Sequence, residues 1–576
     1  MRTTYPEAEF DLTDVTARED GTPGSGSAAG FADLSLLKET GRMGQYGTME
    51  RNQFLLDGSR EIFPAGEDPG VAYWSADMSD GEGRFREAPG LQVDFTGPHS
   101  SMGLTLYFSG DIPSGILVQW YAPGGEGKLA EAAFSPDGST FFCGKEVEGY
   151  GKLVITFTGT TKPFRHVKVD YLEYGRTWKL GRDTIKTAGI YEEADPTSAT
   201  LSINTADIQF LDEKGDFSLA RQDGLWRFLQ KEQEVRLVEY VDGKAVECGT
   251  FYLDGWSVQK NLVSLSFVDL VGLMDRTSFY GGAVYDGVAA GEVIGSIMAS
   301  CGVTDYSIEP EVYAVRLSGW LGIQGHRAAL QQVTFACGAV ADCSRGKGIR
   351  IYRPGRYVSH TVGLDRRFLG TKVTLDEYIS DVSVDYTQYV PDGSVTQVYK
   401  GILSQGMNRI SFSQPFQADS LAVSAGEVME AASNYITVLV GGETECTITG
   451  RKYLALKNSC SIGIPVVAAG KSRKTKKYSG CTVMDAALAG AAAGRILEYF
   501  QMQQLVEMRY VNDGECAGDW CSITMRGAKY ATTGITSQSI DLAGGFIATA
   551  KCRGYSRTVT EMHYTGETYA GERGLV

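Results

Sequence analysis

The sequence has 576 residues, a net charge of -16 and 71 glycines, with 43% hydrophobic and 22% charged residues. This length exceeds what one hydrophobic core can hold and indicates roughly three to five domains. The acidic balance argues against wrapping duplex DNA or binding an anionic membrane, since both need a basic face; it permits a surface past which DNA moves without sticking. Glycine mixed with aromatic and β-branched residues indicates tight turns between strands, so we predict a mainly β, multidomain protein with a minor α/β part.

Cysteine and histidine patterns bear on metal binding and compartment. The closest pairs among the 11 cysteines are Cys337 with Cys343 and Cys516 with Cys521. Neither pair has the second pair, or the histidines at set spacing, that a zinc site needs, so we expect buried free thiols and no metal or cofactor. A polar segment follows Met1 and no run approaches membrane-spanning length. We therefore expect synthesis in a reducing cytoplasm, with no signal peptide and no transmembrane segment.

The N-terminal part of the chain divides into two regions. Residues 1–30 contain TPGSGSAAG, a flexible composition, and are predicted to be an arm or linker. Residues 31–175 hold strand-length segments such as LQVDFTG, MGLTLYFSG and KLVITFTGT, separated by glycine, proline or aspartate. Regular short strands of this kind predict a jelly-roll or immunoglobulin-like β-sandwich, an architecture that many carbohydrate-binding modules share.

Four aromatic residues in the predicted sandwich are candidate sugar contacts, because flat aromatic faces suit pyranose rings. They are Tyr73, Trp74, Trp120 and Tyr121. The alternative is core packing, since Trp120 lies within the apolar run ILVQWYAP. We favour the core interpretation.

Residues 176–278 are predicted to form a first β-barrel unit. Its strongest part runs from Glu234 to Asp275, where alternating apolar residues predict a three-stranded antiparallel meander. Asp242-Gly243 and Lys260-Asn261 stand at the two predicted turns, and such dipeptides are strong hairpin signals. The meander contains no recognisable catalytic constellation.

Residues 279–365 change to a helical period and are predicted to be a small α/β domain. Two helices are predicted from apolar residues at helical spacing. Their apolar positions are Val293, Ile294, Ile297 and Met298 in the first, and Ala329, Leu330, Val333 and Cys337 in the second. The segment KGIRIYRPG is predicted to be a strand that follows them.

Residues 366–483 return to strand patterns and are predicted to be a β-rich domain with one basic run. The run contains Lys471, Arg473, Lys474, Lys476 and Lys477. It is a candidate contact with an acidic partner or nucleic acid. The alternative, which we favour, is a solvated loop tip between strands. Such a basic loop would bind a neighbouring subunit through its charge.

Residues 484–560 are predicted to be a long helix followed by a second β-barrel. The helix is predicted from Met484 to about Met508, with Leu497, Phe500, Leu505 and Met508 on one side. The β unit, about Val511 to Tyr555, is similar to the meander in its short strands and glycine turns. Residues 561–576 are predicted to be a C-terminal tail.

Signatures of catalysis are absent from the sequence. It has no metalloprotease, nucleophile-elbow or phosphate-loop motif, and its 5 histidines are far apart. Paired carboxylates such as Glu192-Glu193 are expected by chance in so acidic a chain. We predict that the protein is not an enzyme, against the weaker alternatives of a spatially assembled Cys-His peptidase or a glycosidase.

Four stretches in a fixed order carry a resemblance to a known family. They are VECGTFYLDGWSVQKNLVSLSFVDLVGLMD, HRAALQQVTFACGAVADCSRGKGIRIYRP, RRFLGTKVTLDEYISDVSVDYTQYV, and the segment from GRILEYFQMQQLVEM to GGFIATAKCRG. Together they resemble tail or baseplate hub proteins of tailed bacteriophages, whose relatives occur in phage-derived contractile systems. The segment HVKVDYLEYGRTWKL is similar to the leading module of such proteins in phages of Gram-positive hosts.

The resemblance implies a homotrimer at the virion tail tip or baseplate, in which two barrels per chain form a pseudo-hexameric ring. Implied partners are the tail tube or distal tail protein, the tape-measure protein, and a spike or fibre. DNA would pass an acidic lumen that repels its backbone without binding it specifically. Some hub proteins carry a lytic extension, but this sequence stops at Val576, soon after its last predicted barrel, so we expect no lytic activity.

Two other functions compete with the structural hub. The first is a glycan-binding adhesin or receptor-binding protein that attaches to a cell-surface glycan through the sandwich. The second, weaker alternative is a cell-wall hydrolase.

Overall fold

The structure is a computed structural model in which strands predominate and helices are few. It describes residues 2–39, 41, 43–44, 46–62, 70–213, 215, 217–218, 226, 229, 231–467, 470–525 and 529–558. The chain divides into two units: one holds Glu9–Lys179 with Leu225–Leu229, and the other holds Met1–Ala8, Leu180–Gly224 and Gln230–Val576. The predicted fold class, mainly β and multidomain with a minor helical part, is confirmed. The predicted tail 561–576 lies outside the described residues.

The strands up to residue 180 lie mostly in the unit around Glu9–Lys179, whereas Thr4–Thr13 and Gly175–Leu180 pair into the large sheet with Glu234–Val241. In chain order they are β1 (Thr4–Thr13), β2 (Thr22–Gly24), β3 (Tyr46–Gly47), β4 (Glu61–Ile62), β5 (Tyr73–Trp74), β6 (Gly90–Phe108), β7 (Pro113–Tyr121), β8 (Lys128–Phe134), β9 (Thr140–Thr160), β10 (Lys168–Glu173) and β11 (Gly175–Leu180). Helix α1 (Val15–Asp20) and a 3-10 turn (Leu34–Lys38) accompany them. Seven strands form one sheet in the order β5-β10-β6-β9-β7-β8, with β2 paired to β6.

The strands after residue 180 belong to the other unit. They are β12 (Ile185–Glu193), β13 (Thr205–Leu211), β14 (Glu234–Val241), β15 (Lys244–Gln259), β16 (Leu262–Val268), β17 (Ser278–Phe279), β18 (Val284–Ala289), β19 (Tyr306–Ile308), β20 (Arg316–Trp320), β21 (Gln324–Gly325), β22 (Val340–Asp342), β23 (Ile349–Tyr352), β24 (Val358–Val362), β25 (Lys372–Leu375), β26 (Asp381–Leu403), β27 (Gly406–Ser411), β28 (Ala422–Val423), β29 (Glu427–Ala431), β30 (Tyr435–Val440), β31 (Thr444–Gly463), β32 (Thr475–Tyr478), β33 (Gln504–Val511), β34 (Trp520–Met525), β35 (Lys529–Asp541) and β36 (Ile547–Thr558). Its helices are α2 (Leu270–Leu273), α3 (Ala290–Ser300), α4 (Pro310–Tyr313), α5 (His326–Cys337) and α6 (Ala486–Gln501), with 3-10 turns at Met274–Arg276 and Ala418–Ser420.

The predicted meander is confirmed as β14, β15 and β16, which pair antiparallel in sequence. Asp242 and Gly243 both have positive φ, 50° and 80°, as a two-residue turn between twisted strands requires. Along β16, Val263, Leu265 and Phe267 are buried and alternate with half-buried neighbours. The period-2 pattern therefore places one face of the meander in the core.

Helices α3 and α5 confirm the two helices predicted in the α/β region, but the long helix is shorter than predicted. It begins after Asp485, whose side chain accepts a hydrogen bond from the Leu488 amide, and it ends at Gln501. The predicted helical positions Leu505 and Met508 lie instead in strand β33, so this part of the prediction is wrong. The reason is that QLVEMRYV alternates buried and exposed side chains, which is a strand pattern.

Two hydrophobic clusters lie in the part of the chain after residue 200. The larger packs α3, α5 and α6 against strands β22, β23 and the start of β26. The smaller includes residues from the paired ends of β26 and β31, two antiparallel strands of 23 and 20 residues. In the part of the chain that the structure describes, no helix is both long and apolar enough to cross a bilayer.

Candidate functional site: a repeated sheet half and its junction

The strands on either side of the helical part follow one order twice. The first half is ordered β14-β15-β16-β13-β12, and the second half is ordered β34-β35-β36-β33-β25. In each half a three-stranded meander comes last in the chain, and the strand before it pairs antiparallel with the meander's final strand. The first meander strand carries one further neighbour in each half, β1 in the first and β24 in the second. The two halves therefore have the same topology.

The residue pairing shows that the halves also share a register. One row of paired residues crosses the first half through Ile190, Ala206, Phe267 and Leu253. The corresponding row crosses the second half through Val373, Val506, Cys552 and Ile535. Immediately after each row the long meander strand has a register shift, between Leu253 and Gly255 in one half and between Ile535 and Ser537 in the other. A bulge at the same place in both halves marks residues 255–259 and 537–541 as equivalent.

The two halves join edge to edge in one continuous sheet. Strand β12 of the first half pairs antiparallel with residues 537–541 of β35 in the second half. Ile190 faces Ile540 across this junction, and each side chain is only 2% exposed. Glu192 faces Gln538, and both are buried. The two barrels per chain stay a prediction.

A buried polar network lies at the junction. The Gln538 amide nitrogen Nε2 donates to Oε2 of Glu192 at 2.7 Å and to the Glu515 carbonyl at 2.7 Å. Arg345 approaches the same carboxylate, with Nε 3.2 Å from Oε1, and donates from Nη2 to the Glu515 carbonyl. The Tyr510 hydroxyl donates to Oε1 of Gln538 at 2.9 Å. These bonds satisfy polar groups that would otherwise cost free energy in the interior.

The electrostatics of this network are those of a structural contact. Burial raises the pKa of the Glu192 carboxyl, while the charge of Arg345 and the hydrogen bond from Gln538 oppose that rise. Arg366 neutralises the neighbouring buried carboxylate of Glu515 at 2.5 Å. Each carboxylate thus has a guanidinium partner and amide or backbone donors, so the network holds strands together.

Glu192 and Glu193, expected from the sequence to be a chance pair, lie on opposite faces of β12. Glu192 is buried in the junction, whereas Glu193 is exposed on the opposite face of β12. The sequence did contain a pattern that indicates the burial of Glu192. The residues on the buried side of β12 are Ile185, Ala188, Ile190 and Glu192. A carboxylate at an inward position requires a buried partner, although the sequence does not say which one.

The four aromatic residues predicted as sugar contacts lie mostly in the core. Tyr73 and Trp120 are 0% exposed and Trp74 is 3% exposed. The Trp74 ring packs against Phe31, and the Lys168 ammonium lies 4.2 Å from the centre of the Trp74 ring. Tyr121 is half-buried, and its hydroxyl donates to the Gln119 side chain. Rings enclosed in this way offer no face to a sugar, so the burial favours the core interpretation.

The basic run is exposed but is not a loop tip throughout, which corrects the prediction. Its second half is strand β32, which pairs in parallel with β26. Arg473 pairs with Asp381 at 2.6 Å, and Lys474 pairs with Glu377. The Lys476 ammonium lies 4.3 Å from the centre of the Phe500 ring. Lys471 and Lys477 are exposed. The run thus makes contacts within its own chain.

The thiols agree with the expectation of free cysteines. None of the 11 cysteines is in a disulfide, and most are buried. Burial raises the pKa of the Cys337 and Cys481 thiols to about 12, which keeps them protonated. Within the described ranges, no cluster of three or more histidine, cysteine or acidic side chains is placed to hold a metal ion.

Comparison with known proteins gives structural likenesses only. No protein-family model matches the chain, and no curated protein matches it. The chain is similar to the tail protein from Neisseria meningitidis MC58, at 10% identity and a TM-score of 0.40 over 66% of this chain and 93% of that one. It is also similar to the 43 kDa tail protein of prophage MuSo2 from Shewanella oneidensis, at 11% identity and a TM-score of 0.37 over 66% and 95%.

A third likeness is to the prophage tail protein gp18 from Listeria monocytogenes EGD-e, at 9% identity and a TM-score of 0.36 over 66% of this chain and 91% of that one. These structures are tail proteins, the class that the sequence resembles.

Proposed function

We propose that the protein is a structural tail or baseplate hub subunit of a phage or phage-like particle, and that it assembles into a ring. The observation that carries the proposal is the repeated sheet half. One chain presents the same strand order and register twice, and it joins the two copies edge to edge. A chain with two equivalent halves suits a ring with twice as many equivalent positions as chains. Three chains would then match a six-fold tube.

The remaining features support a structural role. The polar network at the junction pairs both of its buried carboxylates and holds strands in place, as an assembly component requires. The net charge of -16 suits a ring whose lumen DNA passes without binding. In such a ring the tail tube or distal tail protein and the tape-measure protein would contact one side, and a spike or fibre would contact the other. The virion tail tip would be its location.

The mass of the full-length protein in solution tests this proposal. We expect light scattering to give three times the monomer mass, and electron microscopy of the particles to place the protein in a ring at the tail tip. A protein that is monomeric at all concentrations and never enters tails would contradict the proposal.

Glycan binding is a second candidate, favoured by one observation in the unit around Glu9–Lys179. A cleft of about 650 Å³ is lined by Tyr107, Tyr171 and Glu173, among others. The Tyr107 and Tyr171 rings lie 5.3 Å apart, and the Tyr107 hydroxyl donates to Glu173. A glycan array with the full chain tests it: binding lost in Tyr107→Ala, with folding intact, supports this candidate, and no binding by the wild type removes it.

A further inference from the structure

Among the described strands, the edges that correspond to the internal junction are unpaired at both ends of the repeat. Strand β12 is covered by residues 537–541 of β35, but its equivalent β25 pairs only with β33 among the described strands. Likewise residues 255–259 of β15, equivalent to 537–541, pair with β16 on one edge, and no described strand lies on the other. The chain therefore holds one completed junction and the two separate halves of another.

Side-chain exposure agrees with a missing partner at both edges. Ile190 and Ile540 are each 2% exposed at the completed junction, whereas Val373, which is equivalent to Ile190, is 42% exposed. Leu375, which is equivalent to Glu192, is 75% exposed. An unpaired strand edge that carries apolar side chains at this level of exposure is a ready template for pairing with another chain.

We propose that β25 of one chain pairs antiparallel with residues 255–259 of β15 in a second copy, in the register of the internal junction. The facing residues in this register are Lys372 with Gln259, Val373 with Val258, Thr374 with Ser257 and Leu375 with Trp256. This inference rests on the proposed ring, and it states which strands and which residues close it.

Backbone hydrogen bonding supports the register. In an antiparallel pair, the N–H and C=O of one residue point to the same neighbouring strand, and successive residues alternate. The Asp376 amide donates to the Gln503 carbonyl, on the β33 side. Counting back along the strand, Thr374 also faces β33, so Val373 and Leu375 direct their N–H and C=O groups to the open edge. At the completed junction the equivalent residues of β12 face β35 in the same way, since the Ala194 amide donates to the Thr536 carbonyl.

The side chains at the proposed contact are complementary. Leu375 would face Trp256, and Val373 would face Val258, two apolar cross-strand pairs that stabilise an antiparallel contact. Trp256 and Val258 are half-buried, although their equivalents Gln538 and Ile540 are buried. A covering strand would complete their burial.

The chemistry also specifies which edge pairs with which. Strand β12 carries Glu192, which accepts a hydrogen bond from Gln538, so β12 placed against Trp256 would leave this buried carboxylate without that donor. Leu375 has no such requirement. The difference directs β12 to its own chain and β25 to a second copy. A contact between two different edges is head-to-tail, and it gives a ring when the rotation closes.

Engineered cysteine pairs in the full-length protein test the register. Residues whose hydrogen bonds point away from the new junction, such as Thr374 and Ser257, would have Cα atoms about 4.5 Å apart, which suits a disulfide. We expect the double variant T374C/S257C to form covalent oligomers on mild oxidation, and K372C/Q259C to do the same. The matched control K372C/S257C is slipped by two residues, and we expect about tenfold less product from it, because its Cβ atoms are too far apart. Single-cysteine variants measure the background from native thiols.

The outcomes separate this inference from the proposed function. Two outcomes would overturn the strand pairing: cross-linking of the slipped pair as efficiently as the in-register pairs, or no cross-linking in a protein that light scattering shows to be oligomeric. In either case the ring would have to form through a different contact. A chain that is monomeric throughout would overturn both. As an independent readout, Leu375→Glu is expected to abolish self-association, while Leu369→Glu, at a leucine 90% exposed just before the strand, leaves it unchanged.

Discussion

Gln538 donates a hydrogen bond of 2.7 Å to Glu192 across 346 positions of sequence, and this contact joins the two sheet halves of the chain. Both side chains are at most 1% exposed. The bond is part of the one junction that this chain completes by itself, and the strength of that junction can be measured directly.

Replacing Glu192 tests the buried network. Glu192→Leu removes the carboxylate that Arg345 and Gln538 face, and it leaves a buried guanidinium without its main counter-charge. We expect a loss of about 3–5 kcal/mol in the free energy of unfolding of this unit. Chemical denaturation and amide hydrogen exchange along β12 and β35 measure it. The control is Glu193→Leu, the same chemical change one residue along at an exposed position, where we expect about 0.5 kcal/mol or less. Equal effects of the two variants would contradict the role of the network.

Glu239 predicts a pH dependence of stability. This carboxyl is 0% exposed, and burial raises its pKa to about 8, with the charge of Arg2 opposing the rise and that of Asp541 adding to it. Since the pKa in the folded state lies above the ordinary value of 4.5, the stabilising contribution is complete below about pH 4.5 and is lost as the pH rises through about 8.

The variant Glu239→Gln keeps the shape of the side chain and removes its charge. We expect it to be as stable as the wild type near pH 4 and more stable by on the order of 2 kcal/mol above pH 8, because the wild type must then bury a carboxylate. Thermal unfolding at a series of pH values measures the difference, with Glu193→Gln as the exposed control. A difference that is constant with pH, or that grows toward low pH, would be inconsistent with the raised pKa.

Trp120 and Tyr121 distinguish core packing from sugar binding. Trp120 is 0% exposed, so we expect Trp120→Ala to destabilise the unit around Glu9–Lys179 by about 3–5 kcal/mol. We expect Tyr121→Ala, at the half-buried neighbouring position, to cost about 1 kcal/mol. Thermal unfolding followed by near-ultraviolet circular dichroism measures both. An unchanged unfolding temperature for Trp120→Ala, together with lost glycan binding, would reverse the interpretation.

Substitutions in the basic run are expected to change the free energy of unfolding by a small amount that depends on the position. Lys476→Ala removes an ammonium that lies 4.3 Å from the Phe500 ring centre, and we expect it to cost about 0.5–1 kcal/mol. We expect Lys477→Ala, one residue further along at an exposed position, to change the free energy of unfolding by less than about 0.5 kcal/mol. Denaturant titrations of the two variants, side by side, measure the difference. A larger loss in Lys477→Ala would show that the run is held by contacts other than this one.

Local patterns predicted many of the elements because their causes are local. The meander was predictable from Val263, Leu265 and Phe267, whose alternation places one face of β16 in the core. Helices α3 and α5 were predictable from apolar residues at helical spacing. The prediction failed at Leu505 and Met508, because the apolar residues of a helix end and of the following strand were read as one helical face. Likewise, the lysines of β32 resembled a solvated loop, although their backbone pairs with β26.

The sequence by itself determined where strands, turns and helices form, because those preferences depend on residues a few positions apart. It also determined that the chain is acidic and without a catalytic motif. Only the tertiary structure decided that the two β units have one strand order, that β12 lies on β35, and that Glu192 is a buried junction residue. Strand pairing joins residues that are hundreds of positions apart, and any exposed edge offers the same backbone groups. The choice of partner therefore depends on the register and on the side chains that meet across the edge, such as Ile190 with Ile540.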